Sequence, residues 1–163
     1  MDNLPKTIDE KIIDLDSILD TFEKSCGLPD VAHKDLETEA KRLLESPPEV
    51  TNKMSAEDCG SAAISLQKFA FFLQKTVNRE SAKMKWAEAT MLKTISGDIL
   101  FQKGYGFEER KLAAIKNNDA ATKLQNLKIK HELRAERICY LSSKIESLSK
   151  AFLELQKSKR GKD

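Results

Sequence analysis

The feature that most constrains the fold is a long run without proline, from Ala56 to about Ser96, in which only Gly60 interrupts. Apolar residues recur along it at steps of three, four or seven: Leu66, Ala70, Leu73, Val77, Met84, Met91 and Ile95. This spacing places them on one face of an α-helix. Ser55, with Asp58 three residues later, is a capping signal for its first turn. The sequence therefore predicts one long amphipathic helix.

A second long helix is predicted from about Phe107 to Leu155, after a turn at Gly104-Tyr105-Gly106. From Leu124 onward this segment follows a heptad register. One seam column is Leu124, His131, Ile138, Ile145 and Phe152. The other predicted column is Leu127, Arg134, Leu141, Leu148 and Leu155. Because the connecting turn is short, we expect the two helices to be antiparallel. The polar seam residues are interpreted as setting the register, with a buried switch or ligand as the alternative.

Two shorter helices are predicted before this hairpin. The first covers 8–24, with Thr7 and Glu10 as a capping box, and the second runs from a cap at Asp30 to about Leu44. Prolines after Ser46 end it, and the stretch to Met54 is interpreted as a linker. The predicted fold class is all-α: a long antiparallel helical hairpin, coiled-coil-like, preceded by two shorter acidic helices. The predicted domains are an acidic arm, 1–50, and a basic hairpin, 51–163.

Composition and charge support this interpretation. The chain has few aromatic residues (6%), glycines and prolines, whereas sandwiches and barrels need many turns. Residues 1–60 hold 7 Lys/Arg and 15 Asp/Glu, a net charge of −8, while residues 61–163 hold 21 and 11, a net charge of +10. A basic body with an acidic arm suggests a surface for polyanions. The arm either screens that surface, docks elsewhere or simply packs on its own hairpin.

No motif for catalysis or for a metal or cofactor site occurs in the sequence. It has no nucleophile elbow, Walker loop or zinc-binding pattern, so we expect no enzymatic activity and no cofactor. Its three cysteines are widely separated, which favours free thiols in a reducing compartment. Neither a signal pattern nor an apolar run of membrane-spanning length is present. We expect a soluble cytoplasmic protein, in the host cytoplasm if it is viral.

Cations line the back of the predicted first long helix. At ~100° per residue, a narrow stripe opposite the apolar face carries the chain's only tryptophan, and Lys83 flanks it. We call this set the basic stripe: Lys68, Lys75, Arg79, Trp86 and Lys93. Cations for phosphates and a flat ring for stacking are the combination that single-stranded nucleic acid requires. The alternatives are a solvated face and a tryptophan at a subunit contact.

A second set of cations recurs at seven-residue steps along the last helix. We call it the basic column: Lys116, Lys123, Lys130, Arg137 and Lys144. Positions that flank a seam commonly hold interhelical ion-pair partners. Between 61 and 103, however, only Glu80, Glu88 and Asp98 are acidic, so the facing helix offers few partners. The column is therefore predicted to be available to phosphate or to the acidic arm.

Three stretches resemble the phage recombination mediators typified by UvsY. They are LQKFAFFLQKTVNRESAKMKWAEATMLKTI, FEERKLAAIKNNDAATKLQ and ICYLSSKIESLSKAFLELQK, and the resemblance covers roughly 62–157. It implies a small helical oligomer that binds single-stranded DNA and helps a RecA-like recombinase to displace single-strand-binding protein. The DNA-binding role then falls to Lys75, Arg79, Lys83, Lys85 and Lys93, and the oligomerisation role to Leu141, Ile145, Leu148 and Phe152.

The acidic residues 1–50 have no counterpart in that family. The leading hypothesis is an accessory recombination protein whose partners are single-stranded DNA, a recombinase, single-strand-binding protein and further copies of itself, with no membrane. The rival hypothesis is a coiled-coil scaffold or virion assembly protein that binds no DNA. The cationic stripe with its tryptophan favours the first, because a scaffold does not need one.

Overall fold

The computed structural model describes residues 7–26 and 33–161, and within these ranges it contains helices but no strand. The helices are α1 (Ile8–Ser25), α2 (His33–Glu45), α3 (Pro48–Lys53), α4 (Ala56–Ile95), α5 (Phe107–Lys116) and α6 (Asp119–Arg160), with a 3-10 turn at Ile99–Phe101. The two long helices, α4 and α6, pack antiparallel. The predicted all-α fold with a long antiparallel hairpin is confirmed.

The predicted capping boxes are present at two helix starts. The backbone N–H of Glu10 donates to Thr7 Oγ1 (3.3 Å), and the Thr7 N–H donates to Glu10 Oε2 (2.7 Å). Ser55 and Asp58 make the same reciprocal pair at the start of α4, with bonds of 3.0 and 3.1 Å. Each box satisfies amide groups that a helix start otherwise leaves without partners. The cap predicted at Asp30 lies outside the described residues.

Two boundaries differ from the prediction. The stretch between Ser46 and Met54 contains the short helix α3. Its first residue is Pro48, and proline suits this position because the first residues of a helix need no N–H donor. The last helix is broken at Asn117 and Asn118. Asn118 Oδ1 accepts from the Ala121 N–H (3.0 Å) and so caps a new helix, α6. A capping side chain in the middle of a helical pattern ended one helix and started another.

The chain divides into two compact units that both long helices supply. The first unit comprises 1–28 and 78–135, and the second comprises 29–77 and 136–163. These units differ from the predicted domains, an acidic arm and a basic hairpin, because α1 belongs to the first unit and α2 to the second. Among the described residues no helix is both long and apolar enough to cross a bilayer.

The core of the second unit joins α2, α4 and α6. Its buried side chains include Leu43, Leu66, Leu73, Ile145 and Phe152. Burial of Ile145 and Phe152 corrects their assignment to a contact between subunits, because both already pack inside one chain. Of the other predicted oligomerisation residues, Leu141 is 43% exposed and Leu148 is half-buried.

One of the two predicted heptad columns faces α4, and the other does not. The Leu124 column is confirmed, since its members are buried or, at Ile138, half-buried. The predicted second column is wrong, because Arg134 and Leu141 are exposed and its other members are only half-buried. The positions that face α4 instead lie three residues before the Leu124 column: Ala121, Lys128, Ala135, Ser142 and Ser149.

Contacts with α4 in the second unit explain why the column that contains Ser142 and Ser149 faces inward. Ser149 Oγ donates to the Ala63 carbonyl (2.9 Å), and Ser142 Oγ donates to the Ala70 carbonyl (3.2 Å). A side-chain hydroxyl reaches a carbonyl of a neighbouring helix only where the backbones approach closely. Both alanines are buried, and their small size permits this approach. The hydroxyls are satisfied by the carbonyls, so the serines lie in the core without leaving an unmatched polar group.

The first unit has its own apolar cluster around the hairpin connection. It comprises Met91, Ile95, Ile99, Ala114, Ile115, Ala121 and Leu124, with Ile8 and Trp86 packed against it. Farther along the same two helices lies a buried polar group. His131 Nδ1 is 2.7 Å from Glu80 Oε2, and Arg134 Nε is 3.4 Å from the same oxygen. The polar seam residues His131 and Arg134 are therefore both partners of one buried carboxylate.

Candidate nucleic-acid interface

The structure divides the predicted DNA-binding residues between the two units. Lys68 and Lys75 belong to the second unit, where Lys68 is exposed and Lys75 is half-buried. The first unit holds the other five: Arg79, Lys83, Lys85, Trp86 and Lys93. Only Lys85 and Lys93 of those five are exposed. The expectation that the basic stripe faces solvent is therefore wrong for Arg79 and Trp86, and the flanking Lys83 is half-buried as well.

Arg79 is held by three carboxylates of α1. Its Nη1 is 2.6 Å from Asp20 Oδ1 and 3.3 Å from Glu23 Oε2, and its Nη2 is 3.1 Å from Asp16 Oδ1. The Arg79 side chain is 23% exposed. Asp16, Asp20 and Glu23 are spaced i, i+4 and i+7, which brings them to one face of α1. We call this set the acidic face of α1.

Lys83 belongs to the same ion-pair network. Its Nζ lies 2.8 Å from Asp16 Oδ1, and its side chain is only 14% exposed. Burial alone would lower the pKa of Arg79, but hydrogen bonds to Asp20 and Asp16 outweigh it and hold the pKa above its usual range. Asp16 thus bridges the two cations that sequence analysis placed at the centre of a phosphate-binding surface.

Sequence analysis did not identify the acidic face as part of this site. A signal was present, because Arg79 and Lys83 are four residues apart on one helix, and Asp16 and Asp20 have the same spacing on another. Many acid pairs in residues 1–60 share that spacing, so the pattern alone selects no partner. Only the packing of α1 on the first unit distinguishes these acids from the others.

Trp86 is half-buried against the apolar cluster of the first unit, where Ile8 of α1 packs as well. This position corrects its interpretation as an outward stacking platform. An indole ring has a large apolar area, and packing against this cluster removes part of it from water.

Cations remain open on the described surface of each unit. In the first unit, Lys85 and Lys93 of the predicted site are exposed and form no ion pair with a described residue, and the same is true of Lys116, Lys123 and Lys130 of the basic column. In the second unit, Arg137 and Lys144 are exposed, and Lys144 Nζ lies 5.2 Å from the centre of the Tyr140 ring. Cations without carboxylate partners can exchange counterions for phosphates.

The contacts between α1 and α4 predict a pH dependence. Burial raises the pKa of Asp16, but hydrogen bonds from Lys83 and Arg79 outweigh burial and hold the pKa below its ordinary value. A lowered folded-state pKa stabilises docking of α1 at pH values above the ordinary pKa of aspartate, and this stabilisation is lost as the pH falls through the lowered pKa. We expect the Asp16 carboxyl carbon to titrate below the ordinary range of an aspartate in an NMR pH series.

The control for this titration is the double variant Arg79→Met and Lys83→Met. It removes both cations but keeps long side chains, so the Asp16 midpoint should move up towards its ordinary value. A wild-type midpoint at or above that of this double variant would contradict the ion-pair geometry.

The described residues contain no group of three or more His, Cys, Asp or Glu side chains arranged to hold a metal ion. Comparison with protein-family models, with curated proteins and with solved structures gave no match. The interface is therefore interpreted from its own geometry.

Proposed function

We propose that this chain is an accessory recombination protein that binds single-stranded DNA without sequence preference and helps to load a RecA-like recombinase in place of single-strand-binding protein. The observation that carries the proposal is the set of cations on α4 of the first unit. Two of them, Lys85 and Lys93, are exposed, while Arg79 pairs with three carboxylates and Lys83 with one. A guanidinium that binds carboxylate oxygens can also bind phosphate oxygens, because both are oxygen anions.

The proposal includes self-association, with a modified contact surface. Ile145 lies in the core of the second unit and is excluded from it. Leu141 is exposed, and Leu148 lines an open groove of about 410 Å³ that Leu44, Leu155 and the edge of the buried Phe152 also line. Contact between copies would fall on these leucines rather than on a continuous heptad seam.

DNA binding is tested with labelled oligo-dT and a duplex of equal length, each at two salt concentrations. The double variant Lys85→Ala and Lys93→Ala should weaken binding to all single strands alike. It should also flatten the dependence of log K on log salt by up to ~1.4, since each lost phosphate contact removes ~0.7 on single strands.

The matched control is Lys11→Ala with Lys24→Ala, which removes two exposed cations from α1. It lowers the net charge equally but should leave the salt slope of wild-type protein. Equal slopes in all three proteins, or no binding of oligo-dT by wild-type protein, would contradict the proposal.

A second candidate function is a protein-binding scaffold without DNA binding. It is favoured by a group of large, mostly apolar side chains that are exposed around the hairpin connection of the first unit. The group comprises Leu100, Phe101, Tyr105, Phe107 and Leu112, and Phe101 is 85% exposed. Apolar side chains grouped on a surface commonly mark a contact with another protein. The binding experiment separates the two functions, because a scaffold would bind neither oligo-dT nor the duplex.

A further inference from the structure

We infer that α1 is a displaceable cover over Arg79 and Lys83, and that its release regulates access of a DNA strand to the first unit. The inference rests on the proposed function, because it concerns the same surface. Its starting point is chemical. The oxygens of Asp16, Asp20 and Glu23 stand 2.6–3.3 Å from the Arg79 guanidinium, where phosphate oxygens of a bound strand would make equivalent charge-assisted bonds.

The acidic face resembles a short strand of phosphates in one further respect. Its three carboxylates follow one another along one side of a helix, with ~6 Å of axial rise between Asp16 and Asp20. Anions in a row are also what a nucleic-acid backbone presents. Because one cation pair cannot bind both sets of anions fully, α1 and the strand compete for Arg79 and Lys83.

The attachment of α1 is of a kind that can be reversed. None of its residues is buried, whereas the shorter helix α2 buries Ala40 and Leu43 in the core of the second unit. Its inward side chains, including Leu15 and Leu19, are only half-buried. The carboxylates of Asp16 and Asp20 are 36% and 56% exposed, so solvent and salt reach their ion pairs with Arg79 and weaken them as the salt concentration rises. We therefore expect α1 to leave the surface without unfolding α4 or α6.

Competition of this kind has two measurable consequences. The apparent dissociation constant of wild-type protein equals that of an uncovered surface divided by the fraction of molecules in which α1 is released. The salt dependence differs as well. Rising salt weakens the α1 ion pairs and so uncovers Arg79 and Lys83, which partly offsets the loss of strand binding in wild-type protein. The uncovered protein should therefore have the steeper dependence of log K on log salt.

The test uses full-length proteins with two independent ways of releasing α1. The charge variant carries Asp16→Asn, Asp20→Asn and Glu23→Gln, which remove the carboxylate charges and keep the size of the side chains. The apolar variant carries Leu15→Ser and Leu19→Ser, which weaken docking and leave every charge in place. Hydrogen exchange of the α1 amides reports release, and far-UV circular dichroism reports the long helices.

A third protein controls for net charge. It carries Asp9→Asn, Glu49→Gln and Glu57→Gln, which neutralise three exposed acids that form no ion pair with a described residue. We expect both release variants to bind oligo-dT about fivefold or more tightly than wild-type protein, with the net-charge control close to wild type. Oligo-dT added to wild-type protein should also accelerate exchange of the α1 amides.

The outcomes separate the two proposals. Equal, measurable affinity in all four proteins would show that α1 does not compete, and the cover would be rejected while DNA binding stands. A gain reproduced by the net-charge control, or α1 amides that stay protected in both release variants, would also overturn the cover. If no protein binds oligo-dT, the proposed function is wrong and the cover falls with it.

Discussion

Replacing His131 by leucine is expected to lower the free energy of unfolding by about 3 kcal/mol, since it leaves the buried Glu80 carboxyl without its closest polar partner. His131 Nδ1 lies 2.7 Å from Glu80 Oε2, and both side chains are 6% exposed. In the variant, Arg134 Nε at 3.4 Å is the ion-pair contact that Glu80 keeps among the described residues. The measurement is urea unfolding followed by circular dichroism.

Two further proteins complete this experiment. The double variant Glu80→Leu and His131→Leu removes both polar groups and should recover to within about 1 kcal/mol of wild type, because no buried charge is left without a partner. Glu88→Gln is the control, since Glu88 pairs with Lys128 at 2.7 Å on the same two helices but is 39% exposed. It should cost below about 1 kcal/mol. A His131 variant no less stable than the Glu88 control would contradict the buried-pair interpretation.

Ser149→Leu is expected to destabilise the second unit by about 3 kcal/mol. Ser149 is fully buried, and its hydroxyl bonds to the Ala63 carbonyl at 2.9 Å, so a leucine has no space unless α4 and α6 separate. Overpacking of a core costs ~1–3 kcal/mol, and loss of the buried hydrogen bond adds about 1 kcal/mol. Thermal unfolding should show the loss as a midpoint lower by about 6–12 °C for a chain of this size.

Two serine variants separate the contributions. Ser149→Ala removes the hydrogen bond without adding volume and should cost only about 1 kcal/mol. Ser143→Leu adds the same volume at an exposed position of the same helix and should change stability little. Equal effects of leucine at 143 and 149 would show that the helices do not approach closely at Ser149.

The candidate site was only partly predictable from the sequence. The cations Arg79, Lys83, Lys85 and Lys93 were identified from helical spacing and from the resemblance, and the structure places all four in one unit. Helical spacing also placed Trp86 beside them, but the prediction that its indole faces solvent was wrong. Periodicity reports the angle of a side chain around its own helix. Whether that angle meets water or another helix depends on what packs there, and the packing of α1 was not visible in the sequence.

The sequence by itself determined the helix starts capped at Thr7 and Ser55 and the inward column that begins at Leu124, because capping and the preference of apolar side chains for one face act within a single segment. It also determined the charge difference between the two parts of the chain. Only the tertiary structure decided which second column faces α4. Leucines at 141 and 148 were the more hydrophobic choice, yet Ser142 and Ser149 face inward because Ala63 and Ala70 let the helices approach closely. That choice depends on the fit between two surfaces distant in sequence, and so does the pairing of Arg79 with the acidic face of α1.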